Sequence, residues 1–144
     1  MKTRAVRLYG VDDIRLDEFD LPEIADDEIL VKVVSDSICM STWKTIKQGA
    51  KHKRVPNDVY DNPVMIGHEF AGDIVKVGKK WQHKFQPGQK FAQQPAIPGQ
   101  MESPGYSYRW CGGATEYCIF PNDIIEADCL WTFNGDSYFD ASLA

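Results

Sequence analysis

Short runs of strand-forming residues, broken by turn residues at intervals of about ten, constrain this chain of 144 residues more than any other feature. Thr3 to Tyr9 alternates charged and apolar side chains, and Asp13 to Phe19 does so again after Gly10-Val11-Asp12, which is the pattern of a hairpin. Past Pro22 and the acidic Asp26-Asp27-Glu28, the run Ile29-Leu30-Val31-Lys32-Val33-Val34 is β-branched enough for a buried strand. Gly72 to Val77 is another strand. Phe85 to Phe91 reads as a turn leading into one more, and Thr115 to Phe120 as the last, closed by Pro121-Asn122-Asp123. One short helix is predicted over Thr42 to Gln48, with Ser41 as N-cap and Gly49 just past its end. Residues 50 to 63 and the Pro- and Gly-rich stretch from Pro95 to Gly113 read as loops. The pattern predicts one mainly β, barrel-like domain with a short helix.

Size and charge agree with one globular domain. A chain of this length buries roughly 68–70% of the surface its unfolded form exposes. The formal net charge of -5 gives no electrostatic reason to expect nucleic acid or an anionic membrane as a partner. Met1 to Leu8 carries charges too often for a secretory signal, and no apolar run approaches the roughly 20 residues that span a bilayer. A cytoplasmic location is expected. Cys39, Cys111, Cys118 and Cys129 show no CxxC spacing, so reduced thiols are expected, the last three packing as small hydrophobes.

The chemistry gathers in the stretch from Asn62 to Gly78. His68 and Glu69 stand side by side at the start of an alternating apolar run, among Gly67, Gly72 and Gly78. Such a pair can bring an imidazole and a carboxylate to one metal ion, and upstream Cys39 offers a thiolate; together they make a plausible zinc set. Neighbours on a regular strand point to opposite faces, so both can reach one ion only if the backbone bends, for which Gly67 is suited. Otherwise Glu69 stands behind the ligands. Ser41, two residues beyond Cys39, can serve as N-cap, as a proton-relaying hydroxyl, or as both.

Four motifs in order, Ile38-Cys39-Met40-Ser41-Thr42, Gly67-His68-Glu69-Phe70-Ala71-Gly72 with Val77-Gly78, Pro87-Gly88-Gln89-Lys90-Phe91, and Gly112-Gly113-Ala114-Thr115-Glu116-Tyr117, resemble the zinc-dependent medium-chain dehydrogenase/reductases. They match the N-terminal catalytic domain of that family, which has the GroES-like fold, and the resemblance covers nearly the whole chain. Within the family it is nearest the polyol and sugar-phosphate branch, which includes sorbitol dehydrogenase and L-sorbose 1-phosphate reductase. The resemblance implies reversible hydride transfer between a polyol or sugar phosphate and NAD or NADP. It also implies one catalytic zinc held by Cys39, His68 and Glu69, with Ser41 relaying the substrate proton, and a homo-oligomeric full-length protein. The cysteine-rich lobe that binds a structural zinc in many members should fall near residues 92 to 111, where no cysteine occurs before Cys111, so only the catalytic zinc is expected. Met40 and Lys44 replace the family's usual glycine and histidine. No GxGxxG follows a strand, so residues 1–144 are expected to be a catalytic domain separated from its Rossmann domain, and inactive alone.

Two further readings remain open. In one the domain is a non-catalytic binding or assembly module with a vestigial metal site; in the other it belongs to a zinc-free reductase, against which the Cys and the Gly-His-Glu count. Lys51-His52-Lys53-Arg54 is either a solvated loop or a set of cations for a sugar phosphate. Tyr106, Tyr108, Arg109 and Trp110 either line a cleft or pack the long loop.

Overall fold

The computed structural model describes residues 1–143. Strands β1 (Lys2–Gly10) and β2 (Asp13–Asp20) form the expected antiparallel hairpin, in register from Lys2 opposite Asp20 to Leu8 opposite Ile14, with an irregularity before Gly10. Asp12 takes the tight turn with a φ of +55°, a conformation Asp tolerates better than most side chains. Strand β3 (Ile29–Asp36) enters the core through Ile29 and Val31, then helix α1 (Met40–Gln48) follows. The short β4 (Val64–Met65) adds to β1, giving a sheet in the order β2-β1-β4.

A second antiparallel sheet is built from β5 (Phe70–Val77), β6 (Lys90–Gln93), β7 (Tyr117–Phe120) and β8 (Leu130–Phe133), in the order β7-β3-β5-β6-β8. The two sheets meet where the Val6 amide donates to the Ala114 carbonyl (2.8 Å) and Ala5 bridges Thr115. This joint makes the domain barrel-like rather than two separate sheets. Inside, Phe70, Phe91 and Phe120 from β5, β6 and β7 pack with ring centroids 5.5 to 6.0 Å apart, in both edge-to-face and stacked geometries. Such contacts add about 0.5–1.5 kcal/mol per pair beyond area burial. Cys111, Cys118 and Cys129 lie in this core, as expected.

Helix α1 departs from the sequence reading at its start. The N-cap is Cys39 rather than Ser41, and its Sγ accepts the Ser41 amide at 3.4 Å, so the helix begins two residues before Thr42. Statistics favour a Ser cap because its oxygen is the better acceptor, but β3 delivers the chain to the helix at Cys39 in an extended conformation. Gly49 ends the helix as expected, with a φ of +53°. The last strand is likewise shorter than Thr115 to Phe120, since Thr115 turns back to bridge β1.

From Asn122 onward, where a closing turn was expected, the chain forms elements that its residue pattern does not predict. Helices α2 (Asn122–Glu126) and α3 (Tyr138–Leu143) are each too short for a visible period, and β8 exists because β6 offers it an edge. Helix α3 is tied to the sheet by the Tyr138 hydroxyl donating to Asp73 Oδ1 (2.6 Å) and by Ser142 bonding Ser35 (3.0 Å). Among the described residues, no helix is long and apolar enough to cross a membrane.

Candidate metal centre

His68 and Glu69 lie just before β5, in irregular backbone where the alternation of a strand does not apply. Gly67 makes the bend, with a φ of +95°; a Cβ there would stand 2.5 Å from Asp36 Oδ2 and 2.7 Å from the Ala114 amide nitrogen. Only glycine fits. The bend is held on every side: the Gly113 amide donates to the Gly67 carbonyl (2.8 Å), the Ser37 amide to that of Glu69 (2.8 Å), and the Gln93 side-chain amide to that of His68. The Asp36 carboxyl accepts the Glu69 amide, and Phe70, next in the chain, is anchored in the aromatic core. His68 and Glu69 are therefore placed by four separate segments.

Cys39 arrives from the other side, at the junction of β3 and α1. The ligand-capable atoms of Cys39, His68 and Glu69 all lie within 4.8 Å of one another, and His68 Nε2 is 3.8 Å from Glu69 Oε1. The three residues expected from sequence thus converge on one point. His68 is only 6% exposed, and among the described residues neither Nδ1 nor Nε2 has a hydrogen-bond partner. An unsatisfied buried polar group costs about 1–3 kcal/mol, which makes the imidazole a candidate to bind a group from outside the described residues. Burial holds its pKa below the ordinary value, opposed by the Glu69 charge and reinforced by Arg54. A neutral imidazole, a thiol sulfur and a carboxylate are a donor set that fits a divalent ion such as zinc.

Ser41 lies beside the Tyr106 phenol and opposes the rise that burial gives the phenol's pKa. Tyr106 is buried against the site, its ring 5.1 Å from that of His68 and stacked on His52 at 5.4 Å. Of the four residues 106 and 108–110, Tyr106 is the one in contact with His68. Tyr108 faces elsewhere, its hydroxyl donating to Asp123 (2.7 Å). Beside Cys39 a cavity of about 490 Å³ opens between Ile14, Ile38, Trp43, Ile46 and Ile66.

Asp36 and Gln93 escaped the sequence reading. Asp36 lies just past the run Ile29 to Val34, and burial pushes its carboxyl up to about 7, with the Glu69 amide acting against that rise. The available signal was an acidic residue closing an apolar run three positions before a candidate ligand.

The model of the alcohol dehydrogenase GroES-like domain matches residues 25–127. The chain belongs to that family. It is 52% identical over 143 residues to L-sorbose 1-phosphate reductase of Klebsiella pneumoniae, covering 98% of this chain and 35% of the relative. It is 45% identical to mannitol-1-phosphate 5-dehydrogenase of Aliivibrio fischeri, covering 99% and 34% respectively. The chain thus spans about a third of the length of these curated relatives. Solved structures share the fold: an alcohol dehydrogenase of Thermotoga maritima superposes with a TM-score of 0.78 at 18% identity over 100% of this chain and 44% of that one. For 2R,3R-butanediol dehydrogenase of Bacillus subtilis the values are 0.77, 23%, 98% and 43%.

Proposed function

We propose that residues 1–144 are the zinc-binding catalytic domain of an NAD- or NADP-dependent oxidoreductase that interconverts a secondary alcohol and a ketone on a polyol or sugar phosphate. The convergence of Cys39, His68 and Glu69 within 4.8 Å, around an imidazole with no hydrogen-bond partner among the described residues, carries the reading. Its substrate class is supported by the two sugar-phosphate relatives. Zinc held there supplies Lewis acidity toward an oxygen-bearing substrate, and NAD or NADP, bound through a nucleotide-binding domain outside these residues, supplies the redox couple. The chain's own residues do the rest. Cys39 and His68 would hold the ion and Glu69 would complete the set; the Ser41 hydroxyl, beside Tyr106, would accept a hydrogen bond from the substrate hydroxyl and relay its proton outward by giving up its own toward solvent. The buried His68 and Tyr106 keep bulk water from that side of the centre.

Metal content per chain tests the proposal. Elemental analysis of protein purified without chelator is expected to give about one zinc per chain, with Cys39→Ala and His68→Ala each losing it. Zinc-free protein after zinc addition, with full secondary structure by circular dichroism, would reject it.

A further inference from the structure

Ten of the sixteen lysines and arginines pair with a carboxylate in this acidic protein. Among the described residues, Lys51, Lys53 and Arg54 form no ion pair, although they stand almost together in the chain. Arg54 is also held in place. Its Nη1 donates to the Met101 carbonyl (2.7 Å) and to Ser103 Oγ (2.7 Å), while its own carbonyl accepts from Ser107 Oγ (2.6 Å). Ser103 is fully buried and its amide donates to Ser107 Oγ (3.0 Å). These acceptors are neutral, so the guanidinium is fixed without losing its charge, and its other nitrogens remain as donors.

Lys53 and Arg54 form one wall of an open cavity of about 620 Å³, whose other wall is the loop of Gln94, Ile97, Gly99, Gln100 and Met101. Among the described residues, no carboxylate lines it. The cavity is also near the metal centre. Arg54 acts on the charge of both His52 and His68, and His52 stacks on the same Tyr106 that touches His68.

We propose that Lys53 and Arg54, with the facing loop 96–101, form a binding subsite for the phosphate monoester of the substrate. The subsite rests on the oxidoreductase reading for its biological ligand, while its affinity for phosphate does not depend on zinc. A guanidinium with preset geometry and a mobile ammonium are complementary devices for a phosphate dianion, one giving directed bonds and the other charge. The same arrangement explains why an acidic protein leaves these cations unpaired: a neighbouring carboxylate would occupy the site.

The test uses the chain in EDTA, so that phosphate cannot report on zinc. Inorganic phosphate is titrated while amide and Arg side-chain NMR signals are followed. Saturable shifts are expected at Lys53, Arg54 and residues 96–103. Arg54→Gln should weaken binding by roughly 10-fold or more, and Lys53→Ala by roughly 3-fold, as for loss of charge-assisted bonds. Lys79→Ala, which removes a cation paired with Asp26, should change nothing. Lys53 is exposed and, among the described residues, makes no ion pair, so its variant keeps the test valid if Arg54→Gln unfolds. L-sorbose 1-phosphate should compete for the same signals, while L-sorbose should not. The absence of saturable shifts, or shifts unchanged in Lys53→Ala, would overturn the proposal. Competition by NADP but not by the sugar phosphate would also overturn it, because the anion would then be the cofactor's. A parallel zinc titration separates the two readings: zinc uptake without phosphate shifts removes the subsite alone, and phosphate shifts without zinc uptake remove the metal reading alone.

Discussion

The aromatic core and the candidate metal centre meet at the peptide between Glu69 and Phe70, yet they are built on opposite terms. Phe70, Phe91 and Phe120 are fully buried, apolar and closely packed, with nothing left to satisfy. One residue away, the buried side-chain atoms without a hydrogen-bond partner among the described residues are Asp36 Oδ1, both nitrogens of His68, and Gln93 Oε1. All belong to the cluster around the Gly67 bend. The contrast teaches that unsatisfied polarity is concentrated at one place, where the rigid core can hold it against the tendency of each group to find a partner elsewhere.

Removing the support should have the largest effect. Phe70→Ala is expected to lower stability by about 3–5 kcal/mol, measured by urea unfolding, and to weaken zinc binding although it changes no ligand. If zinc affinity were unchanged, the core would not be what positions the centre. Supplying the missing partner comes next. Zinc at a hundred times its dissociation constant should stabilise the chain by about 2.7 kcal/mol in a thermal melt, an increment absent from Cys39→Ala.

Asp36 gives a smaller effect that depends on pH. Its folded pKa of about 7 lies above that of an unfolded aspartate, so the folded zinc-free chain binds more protons in between. The carboxyl therefore contributes most below pH 4, and stability is lost as pH rises toward 7, by at most about 1.4 kcal/mol per pH unit. Urea melts at pH 5 and 6 should show this slope in the zinc-free protein and lose it in Asp36→Asn. The smallest change sharpens the comparison most. His68→Leu replaces an unpartnered imidazole by an apolar side chain, and should leave the zinc-free chain as stable or more stable by about 1 kcal/mol while abolishing the zinc increment. A large loss of stability would show that His68 serves the fold and not a ligand.

The hairpin, the buried run of β3, the strand after Gly72 and the bend at Gly67 could all be read from the chain, because each rests on local alternation or on a glycine whose neighbours demand it. Cys39, His68 and Glu69 could be picked out as a candidate donor set from residue types and the motif around them, and the fold brings them together. Three dimensions decided what had no local signal. Cys39 caps α1 instead of Ser41 because β3 delivers the chain there. Helix α3 and β8 exist because β3, β5 and β6 offer them surfaces and edges. Asp36 and Gln93 became site residues because they are brought to the Gly67–Glu69 backbone from 25 or more positions away, and Arg54 was fixed by a loop some 50 positions downstream. Residue types and short periods determine which elements and donors are available; burial and long-range hydrogen bonds decide which of them share a cavity, because those energies depend on neighbours that the local sequence does not contain.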